Sequence, residues 1–407
     1  MIILSMGDNP MASSGYGQVW NNLLSRWAKS KPDWEFFHVG WQNHDRPHKT
    51  IDGYTMLPIA KAEYGFDTVT RNLMEIKPDI LVTLADVGWQ AGFIDGIMEA
   101  RKRGWRGKWV AYTPVDTQSW EPVMWSKILD VPNINVAMSE SGRRLFSEHD
   151  IKHLHYIPHG VDLDIYCPLD NKEEIRTKYK INNKFVIGFV GRNQRRKQIS
   201  QLIRGFAQFS KDKPDVKLLL HTDANSPQHS LPGWNIQSLV EKYSREHDDK
   251  LVSERKVMFT RENLDIIARQ SIQPKDMNDI YNLMDVFCFS TGGEGFGLPA
   301  IECQSSGVPL LMTAYTTGFE LCGEHGLLIP ILEDKYERDV TEVGTNSIEN
   351  AVPDDKAIAS LLNMLYEDWK AGGEKLKEMS IKSREHATKY NWDNIANKWI
   401  ELFENEK

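Results

Sequence analysis

Two carboxylates, two cations and a run of glycines are the residues of this chain whose spacing could do chemistry. Glu294 and Glu302 stand in Ser290-Thr291-Gly292-Gly293-Glu294-Gly295-Phe296-Gly297-Leu298-Pro299-Ala300-Ile301-Glu302, directly after the apolar run Val286-Phe287-Cys288-Phe289. The apolar run reads as a short buried strand, and the glycines as a turn that can approach a ligand closely because no Cβ intervenes. Pro299 suits the first position of a helix, where its missing N–H would have gone unpaired. A strand, a glycine turn and a helix N-terminus form an anion site, with N–H groups and the positive dipole end aimed at the turn. Carboxylates gain nothing from an adjacent anion. They suit hydroxyl groups a few ångströms away, so a ligand with phosphates in its middle and hydroxyls at both ends fits. A solvated strand-to-helix loop, with a glutamate answering the helix dipole, fits the same spacing.

The cations are in Gly191-Arg192-Asn193-Gln194-Arg195-Arg196-Lys197, after the apolar run Phe185–Val190. Arg192 then emerges at the carboxyl edge of a sheet, where open α/β folds bind ligands. Lys197 follows five residues later, near the next helix. A planar fork and a point charge suit a diphosphate, each pairing worth about 4 kcal/mol at ~4 Å and an effective dielectric near 20, before desolvation. Arg195 and Arg196 read as a solvated basic loop. Two further places face the same edge of the first half. Ser13-Ser14-Gly15-Tyr16-Gly17-Gln18 has two glycines rather than a full dinucleotide fingerprint, and a plain helix entry competes. Asp116 follows the strand-like Trp109–Tyr112 and could accept a hydroxyl, with an Asp turn or N-cap as the competitor.

At this point the chain resembles a family. Glu-Gly-Phe-Gly-Leu-Pro-Ala-Ile-Glu (294–302) is similar to the Glu-x7-Glu signature of retaining GT-B glycosyltransferases, the family 4 or glycosyl transferases group 1, and Gly-Arg-x4-Lys resembles that family's phosphate clamp. The resemblance covers most of Gly160 to Pro330 and only scattered points of the first 150 residues. It implies an α/β GT-B fold, with two Rossmann-like doubly wound domains facing across a cleft. It also implies a hexose moved with retention from a nucleoside-diphosphate sugar to an acceptor hydroxyl, without a metal or other cofactor. By that resemblance Arg192, Lys197, Glu294 and Asp116 are the catalytic candidates, with Glu294 on the donor sugar. Gly15, Gly17, Gly295, Phe296, Gly297, Leu298 and Glu302 bind the donor, Glu302 at the ribose. His159, Ser139 and Glu140 also resemble family positions, although a lone histidine is more often structural. Two departures stand out: Gln198 where the family often has glycine, and Asp116 where many relatives have histidine. An epimerase of the same fold and a nucleotide-sugar-binding protein without turnover are the alternatives. Phe259 to Arg261 could line the base pocket, while the base and the acceptor stay open.

The rest of the chain must position these residues. Its 407 residues are enough for two domains. Strand-like runs at Ile2–Met6, Glu35–Val39, Ile80–Leu84, Trp109–Tyr112 and Ile134–Met138 alternate with helical patterns, one carrying Val19, Trp20, Leu23, Leu24 and Trp27. Ser139 suits an N-cap. The alternation restarts at Phe185–Val190 and continues through Val216–His221, Val257–Phe259, Val286–Phe289 and Leu310–Met312, as parallel sheets covered by helices require. The division expected is 1–165, an acceptor-side domain; 166–385, a nucleotide-sugar domain; and 386–407, a helix crossing back to the first. That helix has Trp392, Ile395, Ala396, Trp399, Ile400 and Phe403 on one stripe. Glu333 to Asn350 reads as a surface insertion.

A net charge of −8 disfavours bulk nucleic-acid binding. No Cys-x-x-Cys pair occurs among Cys167, Cys288, Cys303 and Cys322, which read as buried thiols of a cytoplasmic protein. Met1 to Met6 resembles a first strand rather than a signal peptide, and no run approaches a membrane span. The basic cluster Arg101, Lys102, Arg103, Arg106 and Lys108 admits a weak peripheral contact with a membrane surface, a solvated helix end being the simpler reading.

Overall fold

The computed structural model describes residues 1–12, 14–41, 43–44, 46–59, 64–118, 124–224, 233–260, 272–334, 341–343 and 348–406; Ser13 and Arg261, named above, lie outside them. Contacts divide the chain into two units: Met1–Val115 with Trp120–Gly160 and Tyr390–Lys407, and Asp116–Ser119 with Val161–Lys389.

The first unit holds an eight-stranded sheet of β1 (Ile2–Gly7), β2 (Glu35–Gly40), β3 (His48–Lys49), β4 (Thr55–Leu57), β5 (Ile80–Leu84), β6 (Lys108–Thr113), β7 (Ile134–Ala137) and β8 (Leu154–Tyr156), in the order β3-β4-β2-β1-β5-β6-β7-β8. Every pairing is parallel except β3 with β4. All five residues of β5 are buried, as expected of a strand covered on both faces. The Gly15–Ser30 helix buries Val19, Trp20, Leu23, Leu24 and Trp27. The Trp392–Asn405 helix packs its stripe there: Trp399 and Phe403 lie 5.7 and 5.1 Å from Trp27, and Trp399 lies 4.9 Å from Tyr112, measured between ring centroids. Ion pairs Arg26–Asp393, Lys31–Glu404 and Lys108–Glu406 border that contact.

The second unit holds a six-stranded, wholly parallel sheet of β9 (Phe185–Val190), β10 (Val216–His221), β11 (Val257–Phe259), β12 (Val286–Phe289), β13 (Leu310–Thr313) and β14 (Leu327–Ile329). Its order, β11-β10-β9-β12-β13-β14, runs outward in both directions from the adjacent pair β9 and β12. Connections leaving those two strands depart toward opposite edges, which opens a crevice at their carboxyl ends, the usual ligand position in such sheets. The loops at those two ends are Gly191–Gln198 and Ser290–Gly297. The expected surface insertion is not all surface. A hairpin of β15 (Thr341–Val343) and β16 (Glu349–Ala351) ends in buried Asn350 and Ala351, and the Ala351 N–H donates to the Gly292 carbonyl at 2.9 Å.

Cys288, Cys303 and Cys322 are buried free thiols, whereas Cys167 is half-buried. Among the described residues no helix is long and apolar enough to cross a membrane.

Candidate functional site

β9 delivers its loop with little freedom. The Asn193 amide donates to the carbonyls of Asp223 and Trp234 and accepts from the Trp234 N–H, so the loop is pinned from its middle. Arg192, on one side of this anchor, is exposed and has no ion pair among the described residues. On the other side Arg195–Lys197 form one 3-10 turn, closed by Gln198 at φ 49 before the Ile199–Ser210 helix. This left-handed conformation is the one glycine adopts freely and other residues hold at roughly 1–2 kcal/mol. Gln198 therefore holds a backbone conformation that a glycine would adopt without cost. Arg195 stacks outward over Trp234 at 4.7 Å.

β12 delivers the glycine turn. Ser290 Oγ donates to the Lys197 carbonyl at 3.2 Å, and the Gly292 N–H donates to the Arg196 carbonyl at 2.7 Å, so the two loops are laced together. A Cβ on Gly293 would stand 2.0 Å from the Asp116 carbonyl oxygen, so only glycine fits there. Gly297, at φ 105, caps the Leu298–Ser305 helix without any side-chain cap. Pro299 occupies the second helical position rather than the first, because Leu298 already has helical geometry. Gly295 and Leu298 are half-buried beside buried Phe296 and Gly297.

Four charges meet where the loops touch. Lys197 Nζ donates to Glu294 Oε1 at 2.5 Å and stands 4.9 Å above the Phe289 ring. Arg196 Nη1 lies 3.2 Å from the same oxygen and donates to the Gly293 carbonyl, while its Nε lies 3.3 Å from Asp116 Oδ2. Thr316 Oγ1 accepts the Glu294 N–H at 3.0 Å. Burial alone would push the Glu294 carboxyl up, but Lys197 and Arg196, with hydrogen bonds from Lys197 and Thr291, overcome it and hold it at about 2. Burial draws the Lys197 ammonium down to about 8, against the raising influence of Glu294.

Glu302 is brought elsewhere. It is buried one helical turn beyond Pro299, where Tyr281 donates to its Oε2 at 2.7 Å and Tyr166 also faces it. Burial raises its pKa despite both tyrosines, and no ion pair reaches it among the described residues. Gly15 and Gly17 belong to the first unit and open its first helix. Ser14 caps that helix by accepting the Gly17 N–H at 3.0 Å, and Tyr16 donates to Asp86 at 2.8 Å. His159 is buried against Tyr112, Nδ1 to hydroxyl 2.8 Å, and burial lowers it to about 3, so it is neutral and structural. Ser139 caps its helix through Gly142, and Glu140 pairs with Arg143. Four of the five residues of the basic cluster are occupied internally: Arg101 bonds Asn133, Arg103 pairs with Glu99, Arg106 bonds two carbonyls and Lys108 pairs with Glu406. Phe259 is half-buried at the end of β11.

The sequence reading is corrected at Arg196. Its side chain is 26% exposed and carries two ion pairs at the centre of the site, not a solvated charge. Sequence spacing holds no signal for this, since both partners are distant in the chain.

The family model described as "Glycosyl transferases group 1" matches residues 171–342. Mannosylfructose-phosphate synthase of Agrobacterium fabrum is 28% identical over 180 residues, 43% of this chain and 36% of that protein. The capsular polysaccharide biosynthesis glycosyltransferase CapM of Staphylococcus aureus is 30% identical over 172 residues, 42% of this chain and 39% of that protein. The alignments thus span well under half the length of these relatives. Sucrose-phosphate synthase from Thermosynechococcus elongatus superposes with a TM-score of 0.74 at 16% identity, covering 100% of this chain and 98% of that one. Anabaena HepE, solved in complex with UDP-glucose, superposes at 0.69 with 14% identity and full coverage of both chains.

Proposed function

We infer that this chain of GT-B fold, whose residues 171–342 belong to the glycosyl transferases group 1, is a glycosyltransferase that moves a sugar from a nucleoside-diphosphate donor to an acceptor hydroxyl. One observation carries the reading. Lys197, Arg196 and Glu294 converge at the carboxyl ends of adjacent β9 and β12, beside the uncapped start of the Leu298–Ser305 helix. The likeness to HepE, solved with UDP-glucose, supports a nucleotide-sugar as the donor.

The chemical difficulty is the departing diphosphate, which gains negative charge as the glycosidic bond breaks. Arg192 is exposed and has no ion pair among the described residues, and the helix start offers N–H groups, so both can meet that charge as the donor binds. Lys197 is held by Glu294 in the donor-free protein. A bound diphosphate competes for the ammonium and releases the Glu294 carboxylate toward the sugar hydroxyls. Glu302, one helical turn inside, is assigned to the ribose, which would displace a tyrosine hydroxyl from its carboxylate. The reading includes retention at the anomeric carbon, with a phosphate oxygen taking the acceptor proton, a hexose as the transferred sugar, and no metal requirement.

The test is incubation of the protein with a panel of UDP-, GDP- and ADP-sugars, with and without a chelator, followed by separation of the products. Free nucleoside diphosphate that depends on an added hydroxyl compound supports transfer. An epimerised sugar indicates the epimerase alternative, and an unchanged donor with saturable binding indicates a binding protein.

A further inference from the structure

Arg196 touches the glycine turn three times. Its carbonyl accepts the Gly292 N–H at 2.7 Å, Nη1 donates to the Gly293 carbonyl, and the same Nη1 lies 3.2 Å from Glu294 Oε1. One residue therefore fixes three consecutive residues of the turn, ending at the carboxylate. The guanidinium is held in turn: Asp116 Oδ2 lies 3.3 Å from Nε, on the side away from the terminal nitrogen that meets Glu294. Asp116 is placed by its own backbone, whose carbonyl oxygen would be only 2.0 Å from a Cβ on Gly293, and by the neighbouring Gln118 N–H, which donates to the Tyr315 hydroxyl at 3.0 Å.

We propose that Arg196 is a positioning residue of the proposed donor site, gripping Glu294 with one edge of its guanidinium while Asp116 fixes the other. The charges decide against anion capture as its role. Lys197 and Arg196 are balanced by Glu294 and Asp116, so the four together present no net charge to a diphosphate. First attraction of the anion falls to Arg192, which has no ion pair among the described residues, and to the helix start, with Lys197 joining once the diphosphate draws it from Glu294. Orientation remains for Arg196, and it needs a planar fork. A lysine supplies a point charge without the planar fork that sets the two carboxylates at fixed angles to each other. Lys197 is no substitute: its ammonium is a single point charge, hydrogen-bonded to Glu294 Oε1, and offers no second edge to hold Asp116 at the same time.

This inference rests on the glycosyltransferase reading and is tested separately from it. UDP and UDP-glucose are the first probes, replaced by whichever nucleotide and nucleotide-sugar the donor panel identifies. In Arg196→Lys, nucleoside-diphosphate affinity by calorimetry is expected within about threefold of wild type, while kcat for donor turnover falls about 10²-fold, the usual loss for a displaced catalytic group. Asp116→Asn, a milder change, is expected to lower kcat less. In the double variant the two effects do not multiply, because both act through the one guanidinium. Equal loss of nucleotide affinity and kcat, wild-type turnover in Arg196→Lys, or fully multiplicative effects would each overturn the proposal. Should Arg196→Lys fail to fold, Asp116→Asn alone decides: an unaltered kcat overturns it and a selective fall supports it. Wild-type protein that turns over no donor in the panel refutes the functional reading instead.

Discussion

Replacing Glu294 with glutamine removes a charge and almost no volume, so its effect on stability follows from titration. The carboxyl moves from an ordinary 4.5 to about 2 in the folded protein, against the contrary push of burial. At 8% exposure the side chain needs little discount for solvent screening. A fall of this size is worth roughly 3 kcal/mol near neutral pH, at about 1.4 kcal/mol per pKa unit. The folded state binds this proton less readily than the unfolded chain does. The stabilisation is therefore complete above about 4.5 and lost as pH falls toward about 2. In Glu294→Gln, Lys197 loses its partner and sheds its proton more readily, which trims the loss near neutrality to about 2–3 kcal/mol. A protonated glutamate resembles glutamine, so the two proteins converge in acid, with about 2 kcal/mol of the gap left near pH 3.5 and less than about 1 kcal/mol near pH 2. Urea unfolding of both proteins near pH 7, 5 and 3.5, fitted to the transition that the substitution moves, measures the gap. A gap under about 1 kcal/mol at neutral pH, or one that does not narrow between pH 5 and 3.5, refutes the reasoning.

Three other outcomes follow from the same geometry. Lys197→Ala and Arg192→Ala are each expected to lower donor turnover by roughly 10²–10³-fold with an unchanged far-UV spectrum, as for loss of a charge stabiliser; undiminished turnover in either removes that residue from the site. Lys197 titrates at about 8 in the free protein and is uncharged above that, so kcat/KM for the donor should fall about tenfold per pH unit above about 8. A profile flat to about pH 9.5 contradicts that assignment. Trp399→Ala removes a buried ring from contact with Trp27, Tyr112 and Phe403, and should cost about 3–5 kcal/mol in urea unfolding.

Much of the fold was legible because the central strands are apolar from end to end. Phe185–Val190 and Val286–Phe289 have the bounds that their composition suggests, since every residue in them is buried and no polar position blurs the pattern. The three-residue strands Thr55–Leu57, Leu154–Tyr156 and Leu327–Ile329 carry no such signal. They are too short for periodicity, and they are strands because a neighbour offers hydrogen bonds. Pro299 misled by one place, since proline fits either of the first two helical positions, where an N–H has no partner within the helix. The polar segment ending at Asn350 misled for a related reason. Composition reports solvation averaged over a stretch, whereas one backbone N–H, that of Ala351, suffices to seat its end against Gly292.

The charges were harder to read than the fold, and the reason is physical. Lys197 and Arg196 are adjacent in sequence, and nothing local says which of the three consecutive cations turns inward. The single 3-10 turn, closed by Gln198 in a left-handed conformation, settles it by sending Arg195 out over Trp234 and the next two toward Glu294. Partner choice then depends on residues far along the chain, and the pairs share the Arg196 guanidinium and the Glu294 Oε1 oxygen. Glu294 tolerates burial because two cations share one oxygen, and Arg196 can approach that oxygen because Asp116 balances it. Asp116 is thus matched by Arg196. Removing the charge at position 116 alone leaves Arg196 with Glu294 and the Gly293 carbonyl as partners but takes the Asp116 counter-charge from its Nε edge. Single changes at the two positions therefore act on one guanidinium, and their effects are expected to be non-additive.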